Sequence, residues 1–320
     1  MVISFSKKEG LVDVPNERKI HTKPISRIGG VAIWISTMLT FLCLVLLSYY
    51  PYGKLMSGIL LGGSLMFLLG LVDDVYGLGA KFKLFMQISI ATVAYLLGVK
   101  ISSVPFFGGI DLGLLSYPIT LLWIVGISNA LNFIDGVDGL AGSVVTVNAI
   151  TLAILAITLN PPNPISALIG FILAGAMLAF LTFNFNPAKI FMGDSGALFS
   201  GFLLAAISIT GVMKVATIAI LLPFVVLAVP IIDITYSSLR RICKGTSPFV
   251  ADAEHIHHKL LHAGFSQKKT VVIMTSVAIL SGALACLFAK HNAIKYDFFL
   301  TLAIVGVMLL LNLFRVLTKK

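Results

Sequence analysis

Residues 117–140 read YPITLLWIVGISNALNFIDGVDGL, an apolar run that ends in two aspartates set among glycines. The part before Asp135 has about 18 residues, which is enough to cross the hydrocarbon core of a bilayer as a helix. Asp135 and Asp138 follow at its end, where unpaired charge is expensive. The stretch therefore predicts a membrane-spanning helix and a functional reason for the acids that end it.

The rest of the chain repeats this pattern. It has 320 residues, of which 58% are hydrophobic and 11% charged, whereas a soluble domain carries about 25% charged residues. A β-barrel is disfavoured because its segments would be shorter and would alternate polar with apolar residues. We therefore predict an all-α polytopic integral membrane protein, a single domain over 1–320 with about ten transmembrane helices. The predicted spans are 28–50, 55–73, 83–99, 117–134, 139–160, 164–183, 195–211, 215–237, 271–289 and 297–315.

The basic residues predict the orientation of these spans. With the N-terminus in the cytoplasm, 18 of the 23 lysines and arginines fall in cytoplasmic segments and 5 fall outside, as the positive-inside rule requires. Both termini are then cytoplasmic. The formal net charge of +10 reflects membrane topology, and we expect no nucleic-acid partner. The longest cytoplasmic loop, 238–270, contains the histidine-rich stretch HIHHKLLH.

Three short acidic loops share the cytoplasmic side: GLVDDVYG, NFIDGVDGL and FMGDSGA. Adjacent Asp73 and Asp74 repel each other, so at least one needs a cation or a proton. Asp138 and the Asp194–Ser195 pair could instead serve as helix caps. Acids from several spans gathered at one interface favour a Mg²⁺ site, with Mn²⁺ as the alternative, against a phosphorylated substrate delivered from the cytoplasm.

The histidines and Asp233 leave alternatives open. On a helix His255, His258 and His262 share one face while His257 points elsewhere. They could bind zinc, donate hydrogen bonds to phosphate and sugar, or form a solvated amphipathic helix. Asp233 lies inside a predicted span, where an ionisable residue is a functional candidate, although a salt bridge with Arg240 at the helix end is equally reasonable.

Six ordered motifs carry a family resemblance: RKIHTKPISRIGG, LVDD, NALNFIDGVDGL, NFNPAKIFMGDSG, PIIDITYSSLRR and SPFVADAEHIHHKLL. Together they resemble the polyprenyl-phosphate N-acetylhexosamine-1-phosphate transferases of bacterial cytoplasmic membranes. The HIHH form is similar to the branch that uses UDP-N-acetylglucosamine and begins teichoic-acid linkage units, O-antigen or enterobacterial common antigen. The related translocase that uses UDP-muramyl-pentapeptide more typically shows three consecutive histidines.

The resemblance implies a reaction in which undecaprenyl phosphate attacks the β-phosphorus of the UDP-sugar and UMP leaves. It also implies roles for individual residues. The implied catalytic residues are Asp73, Asp74, Asp135 and Asp138. The implied metal ligands are Asp194 and Asp73. The implied substrate-binding residues are Arg27, Lys83, Asn132, Asn184, Lys189, Phe191, His255, His257 and His258.

Two further expectations follow, and one alternative remains. Relatives of this branch usually have a span before the RKxH motif, whereas this chain starts at MVISFSKKEGLVDVP, so either the enzyme works with ten spans rather than eleven or the start codon is misplaced. Relatives form homodimers, so a homodimer is expected here. The lipid bilayer is the other expected partner. A transporter of anionic metabolites is the alternative, but it would place its polar groups near the bilayer midplane rather than at one interface.

Overall fold

The computed structural model describes residues 2–10, 12–13, 24–47, 53–104, 110–213, 221–243 and 255–290. Helices dominate these residues, with only two short antiparallel ladders, Val12–Asp13 (β1) with Ile25–Ser26 (β2), and Ser103–Val104 (β3) with Ile110–Asp111 (β4). The α-helices are Val2–Lys8 (α1), Gly29–Leu46 (α2), Lys54–Tyr76 (α3), Ala80–Leu96 (α4), Ser116–Ile134 (α5), Leu140–Thr158 (α6), Pro164–Asn184 (α7), Gly193–Ile207 (α8), Leu221–Val226 (α9), Ala228–Cys243 (α10), Ile256–His262 (α11) and Gln267–Lys290 (α12).

Within the described residues, seven helical segments are long and apolar enough to cross a membrane. They confirm the predicted all-α polytopic membrane fold. The segments are Gly29–Leu46, Lys54–Tyr76, Gly113–Ile134, Leu140–Thr158, Pro164–Asn184, Gly193–Met213 and Gln267–Ala289. The predicted count of ten stays a prediction, because 297–315 lies outside the described residues, as does the start of 215–237.

Three of the differences between the helix bounds and the predicted spans stand out. The predicted span 83–99 is the 17-residue α4, which is shorter than the seven segments above. The described part of 215–237 is divided between α9 and α10, and Leu227 separates the two. Helix α10 then continues to Cys243, six residues past the predicted span, because Arg240 and Arg241 in its last turn favour the negative end of the helix dipole.

Helix α8 is the centre of the bundle. All residues from Ser195 to Ile207 are buried, and the helix packs against α3 on one side and α5 on another. Glycines permit this closeness: a Cβ at Gly201 would lie 2.6 Å from the Cα of Ser128 on α5. An apolar helix enclosed on all sides is a rigid support for whatever its first turn presents.

Three tight connections meet at one end of the bundle. They are residues 77–79 between α3 and α4, 135–139 between α5 and α6, and 185–192 between α7 and α8. We call this end, with the aspartates of these connections and of the helix ends beside them, the acidic end. Its predicted location is the cytoplasmic side of the membrane.

Candidate active site

The three acidic loops converge at the acidic end, as the sequence predicted. Asp73 and Asp74 lie in the last turn of α3, and Asp194 lies in the first turn of α8. Asp135 ends α5, and Asp138 follows it in the turn that leads to α6. Residues more than 100 positions apart in the chain therefore share one site.

Asp74 accepts hydrogen bonds from the first turn of α8. Its Oδ1 lies 2.9 Å from the backbone nitrogen of Asp194, and its Oδ2 lies 3.0 Å from the backbone nitrogen of Ser195. The hydroxyl of Ser195 donates to the same Oδ2 at 2.8 Å. Helix N-termini leave donors unpaired and carry partial positive charge, so a carboxylate is well suited to this position. Asp74 therefore fixes where α8, and with it Asp194, begins.

Lys83 joins Asp73 to Asp194. Its ammonium lies 2.7 Å from Asp73 Oδ2 and also forms an ion pair with Asp194 Oδ2. The other oxygen of each carboxylate is also held: Asp73 Oδ1 accepts from the backbone nitrogen of Leu78 at 2.6 Å, and Asp194 Oδ1 accepts from the Asn132 amide at 2.8 Å. One cation thus lies between two carboxylates supplied by α3 and α8.

Behind this group lies a pair of amide side chains, Gln87 and Asn129, whose contact the sequence analysis missed. Gln87, one turn beyond Lys83 on α4, is 1% exposed and exchanges two hydrogen bonds with Asn129, one turn before Asn132 on α5. The pair connects the two helices that carry Lys83 and Asn132. The signal was a glutamine four residues after a lysine in an apolar helix, a spacing that places both on one face.

Asp135 lies beside the α8 start without a cation of its own in the described structure. Its carboxylate is partly exposed. Burial of the charged group, followed by repulsion from Asp194 and Asp74, raises its pKa well above the usual aspartate value. An added cation would favour the ionised form, so this carboxylate is a candidate partner for a metal or for a cationic group.

Asp138 and Asn184 hold the connections to each other. Asp138 Oδ2 accepts from the Asn186 amide at 3.1 Å and from the backbone nitrogen of Ala188 at 3.0 Å. Asn184 is 2% exposed, accepts from the backbone nitrogen of Gly139 at 3.0 Å, and donates to the carbonyl of Ile190 at 2.8 Å. Asp138, implied as catalytic, and Asn184, implied as substrate-binding, thus link residues 138–139 to residues 186–190.

The N-terminal motif reaches the same site through its backbone. Ser26 accepts from the backbone nitrogen of Phe191 at 2.8 Å, and Gly29 donates to the Phe191 carbonyl at 2.9 Å. Gly30 donates to the carbonyl of Met192 at 2.8 Å. Arg27 lies between them, with its side chain 45% exposed and 3.6 Å from Asp13. The motif therefore holds the residues that enter α8, and the Arg27 side chain is available to solvent.

Phe191 and Lys189 occupy the surface of this connection. Lys189 is exposed and Phe191 is partly exposed, whereas Ile190 between them is buried. The alternation follows from the short bridge that Ile190 makes with Ser26, because successive residues of an extended segment point to opposite faces. Both residues implied in substrate binding therefore have access to a ligand.

Helix α11 presents the histidines beside α5. Asp233 of α10, which is fully buried, accepts from the backbone nitrogen of Ile256 at 2.7 Å and lies 2.8 Å from His255 Nδ1. The His255 ring stacks on Phe133 at a centroid distance of 5.2 Å. Asp233 thus joins α10 to the first turn of α11, a role that neither of its two sequence interpretations included.

His257 packs into the turn after α5. A Cβ at Gly136 would lie 2.6 Å from His257 Nε2, so only glycine admits the ring at this distance. His257 is fully buried, and neither ring nitrogen has a partner among the described residues. Burial and then the neighbouring His258 lower its pKa to about 3, so the ring is neutral near pH 7. The histidine stretch therefore packs directly against the aspartate turn.

The donor set can be tested against the implied divalent cation. Among the described residues, no group of three or more histidine, cysteine or acidic side chains surrounds a common metal position. Mg²⁺ does not need such a group, because it usually binds one or two carboxylates and completes its shell with waters and phosphate oxygens. Asp73 and Asp194 already share a cation, the ammonium of Lys83, so their oxygens fit this requirement.

Comparison with known proteins identifies the family of this chain. The family model described as Glycosyl transferase family 4 matches residues 56–212, which include all five aspartates of the acidic end. The "Probable undecaprenyl-phosphate N-acetylglucosaminyl 1-phosphate transferase" of Bacillus subtilis is 36% identical over 271 residues, covering 83% of this chain and 74% of the relative. This chain belongs to glycosyl transferase family 4.

Two other relatives show similar coverage. The "Undecaprenyl-phosphate alpha-N-acetylglucosaminyl 1-phosphate transferase" of Escherichia coli K12 is 30% identical over 292 residues, covering 88% of this chain and 77% of the relative. The "Decaprenyl-phosphate N-acetylglucosaminephosphotransferase" of Mycolicibacterium smegmatis is 33% identical over 297 residues, covering 83% and 72%. The predicted family resemblance is confirmed, and the chain is a membrane-bound sugar-1-phosphate transferase.

Proposed function

We propose that this enzyme transfers N-acetylglucosamine-1-phosphate from UDP-N-acetylglucosamine to undecaprenyl phosphate and releases UMP. The observation that carries the proposal is the contact of Lys83 with both Asp73 and Asp194, with Asn132 beside them. Helices α3, α4, α5 and α8 thus supply acidic, basic and amide groups at one end of an apolar bundle. The names of the relatives support the choice of acceptor lipid and sugar.

Asp194 and Asp73 would hold Mg²⁺ in this proposal, with Mn²⁺ as a substitute. The bound ion supplies electrostatic stabilisation of the charge that develops on the phosphate oxygens. The ammonium of Lys83 and the guanidinium of Arg27 would pair with the phosphates of the two substrates. Phe191, partly exposed beside them, is suited to stack on the uracil ring, and Lys189 lies two residues away.

We favour direct attack over a phospho-aspartyl intermediate. An oxygen of undecaprenyl phosphate forms a bond to the β-phosphorus, and the bond from that phosphorus to the oxygen shared with the α-phosphate breaks, so UMP departs with both electrons. The acceptor needs little help from a base, because a phosphate monoester has a second pKa of about 6. Asp74 is a poor nucleophile, since both of its oxygens accept hydrogen bonds from α8.

Release of labelled UMP tests the reaction. Purified full-length protein is incubated with a panel of UDP-sugars, including UDP-muramyl-pentapeptide and other N-acetylhexosamines, with and without undecaprenyl phosphate and Mg²⁺. We expect UMP only when UDP-N-acetylglucosamine, the lipid and the metal are all present. Uptake of substrate into vesicles without cleavage would contradict the proposal in favour of transport.

Two further measurements address the mechanism. Asp194→Asn should abolish turnover while the protein still reaches the membrane at normal levels, and near-normal rates in saturating Mg²⁺ would contradict the metal assignment. Stereochemistry at the transferred phosphorus should be inverted after one direct displacement. Retention would require two displacements and therefore a covalent enzyme intermediate.

A further inference from the structure

At the acidic end, the ammonium of Lys83 lies where a cation contacts the carboxylate oxygens of two residues. Its ammonium pairs with Asp73 and Asp194 at once, and all three side chains are largely removed from solvent, with exposures of 14%, 12% and 26%. The same two carboxylates are those expected to hold the metal. A second cation cannot share these oxygens without strong repulsion from the ammonium, because the two positive charges would lie a few ångströms apart and partly shielded from water.

We propose that Lys83 is a resident counter-ion that the divalent metal must displace. In the metal-free protein the ammonium offsets one of the two negative charges that Asp73 and Asp194 bring together. When the metal binds, the ammonium leaves these oxygens and becomes available to a substrate phosphate. This inference rests on the proposed metal role and adds an exchange of cations to it.

The chemistry of lysine suits this exchange. Its charge is compact and lies at the end of a flexible four-carbon stem, so it can move without displacing the helix backbone. Asp73 and Asp194 are each held through a second oxygen, by Leu78 and Asn132 respectively, so both carboxylates stay in position when the ammonium moves. The acidic end therefore remains assembled whether Lys83 or a metal ion lies between the two.

The chain offers a matched control two residues away. Lys81 lies in the same first turn of α4 and carries the same charge, but it is exposed. Lys81→Met and Lys83→Met change the net charge of the protein equally. They differ in whether an ammonium is removed from between Asp73 and Asp194.

The experiment measures Mn²⁺ binding to the purified full-length protein by electron paramagnetic resonance, without nucleotide or lipid substrate. We expect Lys83→Met to bind Mn²⁺ at least about tenfold more tightly than the wild type, because a competing charge is gone. Lys81→Met should match the wild type, and Asp194→Asn should lose binding. Equal or weaker binding by Lys83→Met, with binding still dependent on Asp194, would overturn the exchange and leave the proposed metal role intact.

A second readout separates displacement from simple repulsion. Amine acylation of the wild type is followed by mass spectrometry with and without Mn²⁺. Displacement predicts that labelling of Lys83 increases several-fold on metal addition while labelling of Lys81 does not change. Unchanged labelling at a Mn²⁺ concentration that fills the site would overturn the proposal, and absence of Mn²⁺ binding in every variant would overturn the metal role as well.

Discussion

Substitution of Asp74 by asparagine should destabilise the protein as well as inactivate it. The carboxylate accepts three hydrogen bonds from the first turn of α8, at 2.8–3.0 Å. Asparagine keeps one acceptor oxygen, but its amide nitrogen replaces the other oxygen. That nitrogen is a donor and would face the donor groups of α8. Loss of a helix cap costs about 0.5–2 kcal/mol. A buried donor left without a partner adds about 1–3 kcal/mol, so we expect a total loss near 3 kcal/mol.

Thermal unfolding of the purified protein in detergent, followed by tryptophan fluorescence, measures this loss. Asp74→Asn should lower the Tm by several degrees and reduce UMP release. Ser195→Ala removes only one of the three hydrogen bonds, so it should lower the Tm by a smaller amount. An Asp74→Asn protein that is inactive but unfolds at the wild-type temperature would refute the capping role and indicate direct participation in the chemistry.

Further predictions concern packing and pH. Gly30→Ala should prevent correct folding, because a Cβ there would overlap Ser195 at the start of α8. Gly53→Ala should express normally, because no atom lies near the added Cβ. The detergent-soluble yield of each variant measures both outcomes. The pKa of His257 falls to about 3 on folding, so its contribution to stability is complete above about pH 6.5 and is lost as the pH decreases toward 3. We expect about 2 kcal/mol less stability at pH 5 than at pH 7 from this group. His257→Gln should reduce that pH dependence of the Tm, whereas His262→Gln, on the exposed face of α11, should leave it unchanged.

Sequence patterns were sufficient for the all-α membrane fold, for seven of the ten predicted spans among the described residues, and for the identity of the acidic loops. Apolar length predicts a membrane helix, and polar residues in such a chain are few enough to stand out. The patterns could not separate the roles of Asp73 and Asp74. Neighbouring residues on a helix point about 100° apart, so one meets Lys83 and the other meets the start of α8, and only the packing of α3 against α8 determines which.

The role of Asp233 was beyond sequence reasoning for a related reason. Its local spacing indicated Arg240, because helix neighbours are visible in the sequence. Its contacts in the structure are His255 and the backbone of Ile256, which are more than 20 residues away in the chain. Long-range pairs of this kind depend on how helices are arranged, which a single sequence does not display.

The hydrogen bonds between the N-terminal motif and the start of α8 have a consequence for biosynthesis. Ser26 and Phe191 are 165 residues apart in the chain. At about 5–20 residues per second, the ribosome reaches the second roughly 8–33 s after the first. During that interval the early segment lacks its permanent neighbours, and the enzyme stays inactive until most of its helices have entered the bilayer. Newly made chains are thereby expected to gain transferase activity only once their insertion is well advanced.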